Sequence, residues 1–299
     1  MYRYHNLLVY CSLDPEVDRA VVRFAHRVAA LARSQHVRFC HFTEKPDVSA
    51  EMATRYPWLA EPVDDQARER LVETLSAHFP ADIPSDIAVG EGATLMGLLN
   101  HARHQDIDLI ICGAESDTRR LGERLARKSP CSVAIVPRGD WADFRHVVAG
   151  VDFSEHSRDA LDVSVAFATA QGLGSVTGLH VVEDPPGTRP PNVPAQRLRE
   201  ISAERAGLEM NAMLEAYDSG SVVINPVLGL CESVPAEMAR VVREEGADLL
   251  VIGCRGRDAM GTLLLGSTAE EIIENATVPV IVVKKKGVGA GFLDALLRS

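Results

Sequence analysis

Continuous apolar runs alternate along this chain with segments whose hydrophobic residues recur every third or fourth position, the patterns of buried strands and amphipathic helices. Residues 5–12 (HNLLVYCS) read as a strand, and 17–32, with Val21, Phe24, Val28, Ala29 and Leu31 at helical spacing, as a helix. Residues 37–43 are strand-like again. Residues 51–79 have helical spacing interrupted by Pro57 and Pro62, which predicts a broken helix or a loop plus a helix. A strand (83–89), a helix (95–104), a nearly all-apolar strand (108–112), a short helix (121–128) and a last strand (131–136) complete this half.

The pattern then restarts. Residues 146–152 (HVVAGVD) read as strand, 154–171 as helix and 176–182 as strand. A proline-rich loop (185–194), a polar-faced helix (195–217), a strand (222–228) and a helix (234–245) follow. The half closes with a strand at 249–252, a glycine-punctuated loop, a helix opening at Gly266-Ser267-Thr268 and a strand after Pro279. DLIICG (108–113) lies over DLLVIG (248–253) at an offset of 140 residues, and Ser12 lies over Asp152 at the same offset. The predicted domains are 1–138 and 146–286, joined by a connector at 139–145 and followed by a tail at 287–299. Strands alternating with helices of ten or more residues imply right-handed βαβ units, so each domain is predicted to be α/β, with a parallel sheet covered by helices on both faces. The unbroken apolar strands agree, since both faces of such a sheet are buried.

At 299 residues and 46% hydrophobic composition the chain can bury two cores. A net charge of -11 argues against nucleic acid as a partner, because phosphate-backbone binding relies on clustered Lys and Arg. The six cysteines form no CxxC pair and sit in or beside apolar runs, as expected of reduced thiols in a cytoplasmic protein. MYRYHNLLVYCSLD lacks the long apolar centre of a signal peptide, and no apolar run reaches the ~18 residues of a membrane span.

The chemistry concentrates in 249–283. Gly253 and Gly256 stand three apart, nine residues follow, and then come Gly266 and Ser267. A loop with this many residues lacking Cβ can turn its backbone N–H groups inward, and the next helix aims its unpaired first-turn N–H groups at the same point. An anion can be held there without lysine. Asp152 and Gly253 both end strands, where ligands of doubly wound sheets bind. The plain alternatives are a tight turn for the glycines, a helix cap for Asp152 and solvation for Arg255.

With Gly253, Gly256, Gly266 and Ser267 in this spacing, the acidic strand end Val151-Asp152-Phe153-Ser154 and LHVVE at 179–183, each half resembles a universal stress protein domain. The whole chain resembles a tandem member of that family. The resemblance implies two flavodoxin-like or Rossmann-like five-stranded domains, the second holding ATP (or ADP or AMP), with Mg2+ as an accompanying ion. Carried over by position, Asp152 bonds the ribose or adenosine end, and Val151 and Val181 line the adenine slot. Gly253, Arg255 and Gly256 follow the phosphate path, Gly266, Ser267 and Thr268 close it, and Ile252 belongs to the same nucleotide-binding set. Ala269 departs from the hydroxyl residue common there, which puts one phosphate or metal contact in doubt.

The first half departs further. Ser12 replaces Asp152, Ser116 replaces Gly256, and Gly113 to Pro130 spans 17 positions against 26 for Gly253 to Pro279, so nine residues of loop are absent. The first domain is expected not to bind ATP and instead to pair with the second as two protomers would. An adenine nucleotide, a second copy in a homodimer and an unidentified protein are the expected partners.

Neither G-x-x-x-x-G-K-[ST] nor a strand-following G-x-G-x-x-G is present. The position of HIGH-like or SGG-x-DS loops reads VDFSEHS, and His156 alone makes no adenylylation site. The chain therefore reads as a nucleotide-binding module, with a slow ATPase or self-phosphorylating protein (Ser267 or Thr268 as acceptor) and a structural protein with a vestigial pocket as alternatives. His101 and His104, three apart on a helix, read as surface histidines, since no third metal ligand accompanies them. Cys112 and Cys254 read as buried strand-end thiols, and 284–286 as a solvated cap. The amphipathic tail 291–299 fits docking on the body or on a partner chain.

Overall fold

The computed structural model describes residues 3–43, 50–56, 64–182, 194–230, 233–256 and 265–285. In the first repeat β1 (Asn6–Tyr10), α1 (Pro15–Ala32), β2 (His36–Thr43), α2 (Ala50–Arg55), α3 (Asp64–His78), β3 (Ser85–Glu91), α4 (Thr94–His104), β4 (Leu109–Gly113), α5 (Ser116–Lys128) and β5 (Ser132–Val136) follow in order. The second contains β6 (Val147–Gly150), α6 (Glu155–Gln171), β7 (Ser175–Val182), α7 (Ala195–Glu215), β8 (Val223–Leu230), α8 (Val234–Glu244), β9 (Leu249–Gly253), α9 (Ser267–Glu274) and β10 (Val280–Val283).

The repeat extends to its caps. Asp14 accepts the N–H groups of Glu16 and Val17 to start α1, and Ser154 accepts that of Ser157 to start α6. Both helices stop at a left-handed residue, Arg33 (φ 53°) and Gly172 (φ 78°). Asp108 Oδ2 takes the N–H groups of His5 and Asn6, and Asp248 Oδ2 those of Arg145 and His146, so each first strand is tied to the fourth by one carboxylate. The α5 helix begins at Ser116 rather than Leu121. Its first turn is polar, so apolar spacing gives no sign of it, and Thr118 Oγ1 secures that turn by accepting the Glu115 N–H at 3.0 Å.

The two halves share a single ten-stranded sheet, ordered β3-β2-β1-β4-β5-β10-β9-β6-β7-β8. Pairing is parallel within each half and antiparallel at the β5–β10 seam, where Val280, Ile281 and Val282 face Ile135, Ala134 and Val133. Two apolar strand edges that would otherwise invite pairing with another chain thereby cover one another. Helices cover both faces, and each of the two buried clusters draws residues from both repeats. On one face α1 meets α6, and on the other α5 meets α9.

The connector is a packed element rather than a loose tether. Phe144 is fully buried between Phe24 of α1 and Phe167 of α6, and Tyr4 stacks on Phe167. Arg27 holds Asp143 at 2.9 Å and also bonds Gln171. The five described cysteines are buried and none is in a disulfide. Among the described residues no helix is long and apolar enough to cross a membrane.

Candidate functional site

Each half winds in the order 3-2-1-4-5, so its topological switch lies between its first and fourth strands. In the second half these are β6 and β9, whose carboxyl ends present Val151-Asp152 and Gly253-Cys254. Gly253 is set by packing. A Cβ there would stand 2.7 Å from the His156 carbonyl carbon and 2.8 Å from its oxygen, so glycine is what lets the first turn of α6 press against this strand end.

Gly256 serves the crevice. A Cβ on it would stand 2.9 Å from Asp152 Oδ2, and one on Gly266 would lie 3.9 Å from the Gly256 N and the Arg255 Cα. The two ends of the motif are thus apposed, and the Gly266 N–H donates to the Cys254 carbonyl at 3.2 Å. Gly266 is the N-cap of α9, with Ser267 and Thr268 exposed in its first turn. Residues 257–264 lie outside the described residues, as do Cys231, Lys286, the tail at 287–299 and most of the proline-rich loop.

Asp152 divides its two oxygens. Oδ1 accepts the main-chain N–H of Ser154 at 3.0 Å and its hydroxyl, while Oδ2 faces the Gly256 turn. Helix capping itself falls to Ser154, so the cap reading of Asp152 does not account for Oδ2. Val151, Val181 and Ile252 bury their side chains at the strand ends. Ala269 is also buried, turned into the core face of α9, so a hydroxyl there would not open onto the crevice.

Other residues of these segments pack around the two strand ends. His180 donates Nδ1–H to the Val151 carbonyl at 2.7 Å, and its ring lies 4.4 Å from Phe153. Phe153 takes a left-handed φ of 64°, matched by Leu13 at 70°. His156 Nδ1 lies 3.8 Å from Cys254 Sγ, and burial pushes that thiol's pKa up, so it is held protonated rather than as a nucleophile.

Lys284 is not solvated. Its Nζ donates to the Ser129 carbonyl at 2.9 Å, capping the carboxyl end of α5 across the seam, and burial lowers its pKa to about 8. His101 packs against Phe42 and His104 is exposed; no group of three metal-ligating side chains occurs among the described residues.

The first repeat fills the same place with itself. Asp18 accepts the main-chain N–H groups of Ser12 (2.7 Å) and Leu13 (2.9 Å) and the Ser12 hydroxyl. A Cβ on Gly113 would stand 2.4 Å from Val17 Cγ1. The shortened loop brings α5 directly against the strand end, and Arg138 bridges Asp14, Glu16 and Glu115 across the mouth.

The model of the universal stress protein family matches residues 3–137 and 143–284. A universal stress protein of Thermus aquaticus is 28% identical over 144 residues, 47% of this chain and 99% of the relative. Universal stress protein MJ0531 of Methanocaldococcus jannaschii is 46% identical over 57 residues, 19% of this chain and 34% of the relative, so the match spans about a third of its length. Among solved structures, a universal stress protein from Archaeoglobus fulgidus superposes with a TM-score of 0.63 at 18% identity, covering 94% of this chain and 96% of that one. The functionally unknown protein PA1789 of Pseudomonas aeruginosa gives 0.64 at 14%, covering 99% and 98%. At these identities the superpositions show a shared fold.

Proposed function

Because this chain belongs to the universal stress protein family, we propose that it is an ATP-binding regulatory module with its nucleotide in the second repeat, between β6 and β9. Occupancy of that crevice alters its association with a second copy or another protein in a stress response. One observation carries the reading: the two ends of a glycine motif separated by a long loop meet each other, and the Gly256 end lies against Asp152, whose Oδ2 stands 2.9 Å from where a Gly256 side chain would begin.

Asp152 Oδ2 would accept a ribose hydroxyl. The main chain of Val151 and Val181 would edge the adenine. N–H groups at Gly253, Arg255, Gly256 and the start of α9, with the Ser267 and Thr268 hydroxyls, would receive the phosphates. Mg2+ would travel on the phosphates. The first repeat supports the assignment by contrast, since Arg138 and three carboxylates occupy the corresponding mouth.

Isothermal titration with ATP, ADP and AMP tests the proposal. Saturable 1:1 binding that is weakened at least tenfold by Gly266→Val or Asp152→Ala is the expected result. Affinity unchanged by both substitutions would remove the site.

A further inference from the structure

Resting on that nucleotide site, we propose that Lys285 is a phosphate-binding residue, held by Glu155 while the crevice is empty and handed to the ligand when it fills. The internal repeat carries the inference. The Ala114 N–H donates to the Val136 carbonyl at 2.9 Å, and the Cys254 N–H donates to the Val283 carbonyl at 3.2 Å. Val136 and Val283 therefore hold the same place in the two repeats. Arg138 and Lys285, each two residues further on, correspond; so do Glu115 and Arg255, each one residue past the donor.

In the first repeat Arg138 shows what a basic side chain at this position can reach. Its guanidinium holds Asp14 Oδ2 at 2.9 Å and Glu16 Oε2 at 2.7 Å on the α1 side, and Glu115 Oε1 at 3.2 Å beyond the fourth strand. It spans the mouth of the crevice, with the Glu115 carboxylate supplying negative charge on the far rim. The second repeat keeps the near half of this arrangement. Lys285 Nζ stands 3.5 Å from Glu155 Oε2 and 4.0 Å from Asp159 Oδ2 in the first turns of α6.

The far half is inverted, because Arg255 stands where Glu115 does. One repeat supplies its own anion at the rim, whereas the other carries a basic residue, Lys285 and Arg255, at each of the two corresponding positions. The hold on Lys285 is loose enough to exchange. Glu155 is 88% exposed and the contact is at the long end of the ion-pair range, so water screens it. An ammonium on a flexible four-carbon stem suits delivery to a phosphate as a point charge.

The full chain is titrated calorimetrically with ATP and with adenosine, as wild type, Lys285→Gln and Glu155→Gln. Lys285→Gln is expected to weaken ATP about tenfold while changing adenosine less than about twofold, the loss of one charge-assisted contact to phosphate. Glu155→Gln is expected to tighten ATP about two- to threefold, because the nearer of the two carboxylates that hold the ammonium is gone while Asp159 remains. A Lys285→Gln variant that binds ATP as wild type does, or loses adenosine as fully as ATP, overturns this inference and leaves the nucleotide site standing. Absence of ATP binding by wild type overturns the site and this inference together.

Discussion

The Phe144 ring meets Phe167 of α6 edge-on, centroids 5.8 Å apart at 83°. On its other side Phe24 of α1 lies 5.5 Å away, so one aromatic residue from the connector joins the long helices of the two repeats. Such a ring cannot be removed without leaving a cavity that rigid neighbours on both sides fail to fill. Phe144→Ala is expected to cost about 3–5 kcal/mol, read from urea unfolding followed by circular dichroism. A loss below about 1 kcal/mol would mean that the helices close the gap by themselves.

Gly253 and Gly256 belong to one sequence motif but answer to different neighbours, and substitution separates them. At Gly253 a methyl group meets the His156 main chain at 2.7 Å, which cannot yield without moving α6, so Gly253→Ala should destabilise by about 1–3 kcal/mol. At Gly256 it meets only the end of a carboxylate side chain, which can swing aside. Gly256→Ala should therefore leave stability within about 0.5 kcal/mol and instead weaken ATP binding by displacing Asp152. Thermal unfolding and calorimetric titration of the two variants give the comparison; equal losses of stability would refute the division.

Asp18 provides a pH handle in the first repeat. Burial pushes its carboxyl up to about 6 from an ordinary 3.8, against the opposing pull of hydrogen bonds from Ser12 and Leu13. The folded chain thus holds that proton more tightly than the unfolded chain. Its contribution to stability is fully present below the unfolded value and is lost as pH rises through about 6. Asp18→Asn carries no charge to desolvate. The stability of wild type relative to this variant should fall by up to about 3 kcal/mol between pH 4 and pH 7.5, measured by urea titration at several pH values. A difference that stays flat with pH would show that burial does not govern this carboxyl.

Much of this architecture was legible because the repeat and the strands leave strong periodic signals. The offset of 140 residues places Asp108 over Asp248 and Leu13 over Phe153, and the structure repeats their roles. The glycine spacing anticipated two close approaches, Gly253 against the first turn of α6 and Gly266 against Gly256, since glycine is required where main chain passes close to main chain. Other features had no such pattern. Phe144 is an isolated aromatic in a polar stretch, and isolated residues have no period. Lys284 reads as solvated until the antiparallel seam brings the end of α5 to its ammonium, a contact set by how the edges pair rather than by either strand. Lys285 and Arg138 become comparable only through main-chain register, because the missing loop shifts them out of the repeat's offset.

The seam also limits how a second copy can attach. With β5 and β10 paired to each other, β3 and β8 are the outer edges of the sheet among the described residues. The Val223 N–H donates to the Gly174 carbonyl, so alternate residues of β8 turn outward from Ile224 on, and Pro226 places a missing donor in the middle of that free edge. On β3 the outward carbonyl of Ile87 accepts from Arg68 at 3.3 Å. Both edges are blunted, and self-association is expected to use helical surfaces instead. Pro226→Val restores one outward N–H to a strand that already exposes Val223 and Leu230. Light scattering coupled to size exclusion should then show a concentration-dependent heavier species in the variant that wild type lacks; identical profiles would mean that Pro226 is not what keeps this edge closed.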